Sequence, residues 1–263
     1  MPPVRVFARI EIRGIECSAE LIGAEYAELD APPWLGGRPT GRRWPRAEAR
    51  LLAPVVPSKI VCVGLNYQEH VAESQTVLSG MRPPEEPLLF LKPPSAIVGS
   101  GQAIRYPAGV TRLDPEAELA IVIGRRVRHA GLAAAAEAVF GVTAFNDVSA
   151  RNYQRSDGQW TRAKGFDTFA PVGPVVVSGL DPAARVVECR VNGELRQRAS
   201  TADLIVPVPD LIRHISRIMT LEPGDVIATG TPAGVAPVAV GDRIEVSIDG
   251  VGILENTVTE DLV

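Results

Sequence analysis

Lysine is scarce in this chain: Lys59, Lys92 and Lys164 are the only three among 27 basic residues, and arginine supplies the rest. Arginine-rich composition is what GC-rich coding gives. A lysine held inside a motif is therefore a marked residue, because arginine cannot replace its compact, tunable ammonium. Cysteine is also scarce. Cys17, Cys62 and Cys189 are odd in number and form no C-x-x-C pair, which excludes a disulfide framework or a thiolate zinc site and fits a reducing, cytoplasmic setting. No apolar run approaches the ~20 residues that span a bilayer, and the first residues lack the uninterrupted apolar segment of a signal peptide. No membrane association is expected. No block of Lys and Arg occurs and the net charge is -4, so nothing attracts a nucleic acid. Neither G-x-x-x-x-G-K-[ST] nor H-E-x-x-H is present, which removes the phosphate loop and that zinc motif.

What is present is enough for a full core: 263 residues, 46% of them hydrophobic. Short strands are expected from Val4 to Ile12 and from Glu16 to Ile22, followed by a Pro/Gly/Arg-rich stretch, Pro32 to Arg46, that reads as a linker. From Ile60 the character changes. Ile60 to Gly64 is a compact strand, Asn66 to Ser74 has helical spacing, and Leu88 to Leu91 is a second strand. An Ala-rich helix is expected over Gly131 to Phe140, then a strand from Val142, another helix over Val148 to Gln154, and one over Pro209 to Met219. Strands at 174–178, 186–191, 226–229, 242–248 and 251–258, with X-Gly turns at Asn192-Gly193 and Asp249-Gly250, make the class α+β with a predominantly β core.

The chemistry concentrates in Asp114-Pro115-Glu116-Ala117-Glu118-Leu119-Ala120-Ile121-Val122-Ile123-Gly124, which puts carboxylates into an otherwise apolar strand. By alternation Glu116 and Glu118 share a face with Ala120 and Val122, while Ala117, Leu119, Ile121 and Ile123 take the other. Two like charges roughly 7 Å apart on one face must be solvated, protonated, or share a cation. Asp147 ends the next strand. It is either a helix N-cap or the third carboxylate of an oxygen-only site for Mg2+ or Mn2+. The bland alternative for the glutamates is a solvated edge. Asp114 shares their parity but stands behind a proline, outside the carboxylates expected to touch a cation.

His70 and Glu73 stand at i and i+3 on the expected helix, as either a general base with its orienting carboxylate or a solvated pair. Lys164, in W-T-R-A-K-G-F-D, either stabilises a developing oxyanion or pairs with Asp167. The strand and turn V-I-A-T-G-T-P-A-G offers amides and hydroxyls to a substrate carboxylate, or is simply a tight turn. His129 and His214 read as surface groups.

Taken in order, G-L-N-Y-Q-E-H-x-x-E, P-L-L-F-L-K-P, D-P-E-A-E-L-A-I-V-I-G, F-N-D-V-S-A-R, W-T-R-A-K-G-F-D-T-F-A-P-V-G-P, V-N-G-E-L-R-Q and M-T-L-E-P-G-D-V-I-A-T-G-T-P-A-G-V resemble the fumarylacetoacetate hydrolase family over about residues 58 to 258. The resemblance implies a rolled, mixed β-sandwich over residues 56–263, with a small N-terminal α+β domain and linker over 1–55, in a homodimer. It implies Mg2+ or Mn2+ on Glu116, Glu118 and Asp147, and a His70–Glu73 acid/base pair on a lid whose mobile part spans Gln75 to Glu86. It further implies that Lys164 steadies an enolate, while Asn66, Tyr67, Gly230 and Thr231 contact substrate.

The substrate so implied is a small 2-oxo acid or 2-hydroxymuconate-type diacid, isomerised or decarboxylated in aromatic catabolism. The alternatives are acylpyruvate or 1,3-diketone carbon-carbon hydrolysis, oxaloacetate decarboxylation, and a non-catalytic metal-binding homologue. Leu65 stands where some acylpyruvate-cleaving members place a basic residue, which counts against that substrate.

Overall fold

The computed structural model describes residues 3–77 and 86–261. The expected mobile part of the lid falls mostly outside the described residues. The N-terminal strands are β1 (Arg5–Ile12), β2 (Ile15–Ile22), β3 (Glu25–Leu29), β4 (Pro39–Pro45) and β5 (Arg50–Leu52). Then come β6 (Ile60–Gly64), helix α1 (Gln68–Val77), β7 (Leu88–Lys92), β8 (Ile97–Val98), β9 (Ile104–Tyr106), β10 (Leu113–Asp114) and β11 (Ala117–Ile123). The middle of the chain gives α2 (Leu132–Ala136), β12 (Val139–Asn146), β13 (Ser149–Ala150), α3 (Arg151–Ser156), α4 (Thr161–Lys164) and β14 (Ala170–Ser178). The rest is β15 (Val186–Val191), β16 (Glu194–Ser200), α5 (Val208–Ile218), β17 (Val226–Ala228), β18 (Arg243–Ile248) and β19 (Gly252–Glu260).

A large mixed sheet runs β4-β3-β2-β1-β14-β12-β11-β17-β6-β7, and a smaller one runs β16-β15-β18-β19-β9. Most pairings are antiparallel; β17 runs parallel to β6. The α+β, predominantly β architecture is therefore as expected. The first hairpin turns at Arg13-Gly14 and another at Asn192-Gly193, each with both residues at positive φ, the conformation a two-residue turn needs to match strand twist.

Every residue of β11 is buried. Ala117, Leu119, Ile121 and Ile123 join a large core with α5 residues Leu211, Ile212 and Ile215 and small-sheet residues Val187, Val246 and Leu254. Ala120 and Val122 join a second core with Ile60, Cys62, Phe145 and Val176. The strand is covered on both faces, so its apolar run carries period-two information only through Glu118 and the Glu116 that precedes the strand.

Three local expectations need correction. Residues Pro32 to Arg46 contain β4, whose side chains are almost all exposed and carry no apolar alternation, so the strand is invisible to hydrophobic periodicity. The Ala-rich helix stops at Ala136, because Val139 and Phe140 enter β12. The helix expected from Val148 begins at Arg151, after β13 pairs with β10.

Candidate functional site

The register of β11 on β12 assembles the carboxylates. Ala117 faces Asn146 and Glu118 faces Phe145, and the Asp147 amide donates to the Glu116 carbonyl at 2.9 Å. Asp147 is thus the cross-strand neighbour of Glu116. The Asn146 side chain accepts from the Glu116 amide at 3.0 Å and pins the approach to the strand. Glu116, Glu118 and Asp147 are buried and present oxygens within 4.8 Å of one another. A solvated edge is excluded. The N-cap alternative for Asp147 fails too, since α3 is preceded by Ala150 and has no side-chain cap.

Cations surround two of the three. Lys164, which leaves Asp167 aside, donates to Glu116 at 2.7 Å and to Asp147 at 2.6 Å. Lys92, fully buried, donates to the other Asp147 oxygen and to the Val148 carbonyl at 3.1 Å. Arg151 pairs with Glu116 at 2.5 Å and with Asp114 at 2.8 Å, and Arg112 grips Asp114 as well. Burial alone would raise the Glu116 carboxyl, but Lys164 and Arg151 hold it well below the usual range. Burial lowers Lys164 less than Asp147 and Glu116 raise it, so it stays charged.

Glu118 differs. Its one hydrogen bond among the described residues comes from the Gly230 amide, at 2.8 Å, and no cationic side chain pairs with it. Burial first, then Asp147 and Glu116, push its carboxyl well above the usual range. A buried carboxylate held against two others and lacking a cation is the observation that fits a metal to this cluster. All three donors are oxygens, which suits a hard divalent ion such as Mg2+ or Mn2+.

The Gly-rich turn after β17 joins this cluster to the histidine. Gly230 has φ 104°, and a Cβ there would lie 2.7 Å from Asn66 Cβ. Only glycine allows its amide to reach Glu118 in that backbone. Thr231 donates its hydroxyl to the Ala117 carbonyl at 2.9 Å, and the Gly234 amide donates to the Glu73 carboxylate at 3.2 Å. Glu73 lies 3.2 Å from His70 Nδ1. Burial would raise the Glu73 carboxyl, but the His70 and Gly234 contacts outweigh it and keep the group below its usual range.

A cavity of about 30 Å³ lies between these groups. Its walls include Glu116, Glu118, Asp147, His70, Lys164 and Thr231, all of them candidates from sequence, and also Arg151, Gln154, Phe90, Trp160 and Leu65. That volume holds an ion or a water, a small part of a diacid. Asn66 and Tyr67 stand behind the wall. The Asn66 amide donates to the carbonyls of Thr229 and Val206 and accepts from the Val206 amide, which leaves it as an internal brace. Tyr67 is buried in the large core, its hydroxyl without a hydrogen-bond partner among the described residues. Gly230 acts through its backbone.

Lys92 and Arg151 lie inside quoted motifs, and Gln154 three residues beyond one, yet sequence reasoning gave none of them a part. Their signal was available: a rare lysine in P-L-L-F-L-K-P, and an arginine four residues after Asp147.

Residues 59–259 match the family model described as fumarylacetoacetate (FAA) hydrolase, C-terminal. The chain belongs to the fumarylacetoacetate hydrolase family. Residues 7–54 match a second model, described as Rv2993c-like, N-terminal. Protein Rv2993c of Mycobacterium tuberculosis is 51% identical over 222 residues, covering 83% of this chain and 82% of that one. The oxaloacetate tautomerase YisK of Bacillus subtilis is 42% identical, covering 81% of this chain and 74% of its own. The crystal structure of 2-hydroxyhepta-2,4-diene-1,7-dioate isomerase from Mycobacterium marinum superposes with a TM-score of 0.89 at 43% identity, covering 98% of this chain and 100% of that one. As a fumarylacetoacetate hydrolase family protein with isomerase and tautomerase relatives, this chain is an enzyme of that superfamily. Among its described residues no helix is long and apolar enough to cross a membrane.

Proposed function

We propose that this enzyme moves a proton at the carbon beside the carbonyl of a small 2-oxo dicarboxylate, as a tautomerase or isomerase dependent on Mg2+ or Mn2+. The observation that carries this reading is one cavity lined by three buried carboxylates and by His70. When bound to Glu116, Glu118 and Asp147, the ion would supply Lewis acidity to adjacent substrate oxygens.

The protein's own groups account for the rest. Glu73 against Nδ1 favours the tautomer with its proton there, which leaves Nε2 as the basic nitrogen. His70 then takes the proton from carbon and returns it to oxygen or to another carbon. Glu73, tethered to Gly234, holds the ring through both transfers. Lys164 and Arg151 face the cavity as cations for the negative charge that builds on oxygen. Their number speaks to the substrate. Asp114, Glu116, Glu118 and Asp147 are balanced by Lys92, Lys164, Arg112 and Arg151. Glu73 beside His70 adds one more negative charge, so a divalent ion leaves the site positive, which suits an anionic substrate. Leu65 on the cavity wall supplies no further cation.

The test is exchange of the C3 hydrogens of oxaloacetate in deuterated buffer, followed by NMR beside the decay of enol absorbance. We expect Mg2+-dependent acceleration, lost with EDTA and in Glu116→Gln and His70→Ala. Formation of pyruvate as fast as exchange would replace this reading with decarboxylation. No acceleration with either metal would end it.

A further inference from the structure

The motif V-N-G-E-L-R-Q ends in a residue with no part in the chemistry above. Gln197 lies on β16, in the small sheet, and is buried to 1% exposure. Its side-chain oxygen accepts from the Ala117 amide at 2.9 Å, and its nitrogen donates to the Thr231 hydroxyl at 2.8 Å and to the Pro232 carbonyl at 2.7 Å. Ala117 is the peptide between Glu116 and Glu118. Thr231 and Pro232 belong to the turn whose Gly230 amide holds Glu118 and whose Gly234 amide holds Glu73. One amide therefore clips the strand that carries two carboxylates to the turn that anchors the histidine's partner.

The backbone beside Gln197 reinforces the clip. Gly234 sits directly on β16: a Cβ there would lie 2.1 Å from the Arg196 carbonyl oxygen, and its φ is 101°. The turn is thus seated on Arg196–Gln197 by contact as well as by hydrogen bonds. An asparagine is one methylene too short to reach both sides, and a leucine of similar volume leaves the Ala117 amide without its acceptor.

We propose that Gln197 is a positioning residue for the metal centre, fixing the spacing of Glu116 and Glu118 relative to the Gly230–Gly234 turn and so setting the affinity of the site for its cation. This rests on the reading of Glu116, Glu118 and Asp147 as metal ligands. Residues that orient ligands in this way typically change metal affinity by about 10–100-fold when replaced.

The experiment measures the Mn2+ dissociation constant by electron paramagnetic resonance for the full-length protein, wild type and variants, with thermal unfolding of each metal-free form alongside. Gln197→Leu and Gln197→Asn are compared with Asn256→Leu. Asn256 is a similarly buried amide bonded to the carbonyls of Gly99 and Gln102, and none of its bonds reaches the site. We expect about tenfold weaker Mn2+ binding in both Gln197 variants and an unchanged constant in Asn256→Leu, although all three unfold at lower temperature. Gln197→Asn retains the amide should the leucine form not fold. Wild-type affinity in a folded Gln197 variant, or equal weakening in Asn256→Leu, overturns the positioning role. Absence of Mn2+ binding by the wild type overturns the metal centre itself.

Discussion

Glu118 is where folding and function conflict most. It is the one carboxylate of the three without a cationic partner among the described residues, and burial beside Asp147 and Glu116 disfavours its charge. Glu118→Gln keeps an acceptor for the Gly230 amide and removes that cost. The metal-free variant should unfold at or above the wild-type temperature, yet lose the stabilisation that Mg2+ or Mn2+ gives the wild type. Because the folded-state carboxyl titrates above its unfolded value, its protonated form stabilises the metal-free fold at low pH, and that contribution is lost as pH rises through the folded pKa. The gain in Tm on adding Mg2+ should therefore grow as pH rises above the usual carboxylate range in the wild type and stay flat in Glu118→Gln. Calorimetry at several pH values checks both; a variant that loses metal-free stability and keeps its metal response would refute the assignment. The glutamates, Asp147 and the His70–Glu73 pair were legible in the sequence because strand alternation and helical spacing are local rules. Lys92 and Arg151 carried only a hint of composition and spacing, because Asp147 lies 55 residues from Lys92 and Glu116 35 from Arg151; the first pair meets through the placement of β7 in the sheet, the second through the β11–β12 register.

At the scale of elements, the turn after β17 does more than a tight turn requires. It receives Asn66 at the Thr229 carbonyl, serves Glu118 through Gly230, and reaches Glu73 through Gly234. Sequence marked it as a possible carboxylate cradle. Two of its amides instead hold the enzyme's own carboxylates, and this was hidden because Glu118 is 112 residues and Glu73 161 residues distant. Gly230→Ala forces a side chain into positive φ and against Asn66. The backbone strain alone costs about 1–3 kcal/mol. We expect a lower urea midpoint and, since Glu118 loses its amide, weaker Mn2+ binding. A variant with wild-type affinity would show that the turn does not position Glu118. Strand β4 was missed for the opposite reason: it lies at the end of the sheet, polar and exposed, and its pairing is set by β3 rather than by any pattern of its own.

For the whole molecule, the first fifty-five residues bear on whether the enzyme folds at all. The character of the sequence changes from Ile60, and the two family models meet between residues 54 and 59. In space the boundary is bridged. Arg5, Val6 and Phe7 of β1 pair with Ser178, Val177 and Val176 of β14, so the N-terminal strands extend the same sheet that carries β11 and β12. Ala8, Ile10, Ala19 and Tyr26 pack in the same core as Leu119 and Ile121, the strand that presents Glu118. Removing residues 1–55 uncovers part of that core and leaves the β14 edge at Val176–Ser178 unpaired, which invites association through exposed backbone. The fragment 56–263 should therefore be poorly soluble, bind a hydrophobic dye and lack a cooperative thermal transition, although every residue assigned to the chemistry is retained. A fragment that elutes as a discrete folded species, unfolds cooperatively and binds Mn2+ as tightly as the full chain would make the N-terminal strands dispensable to the site.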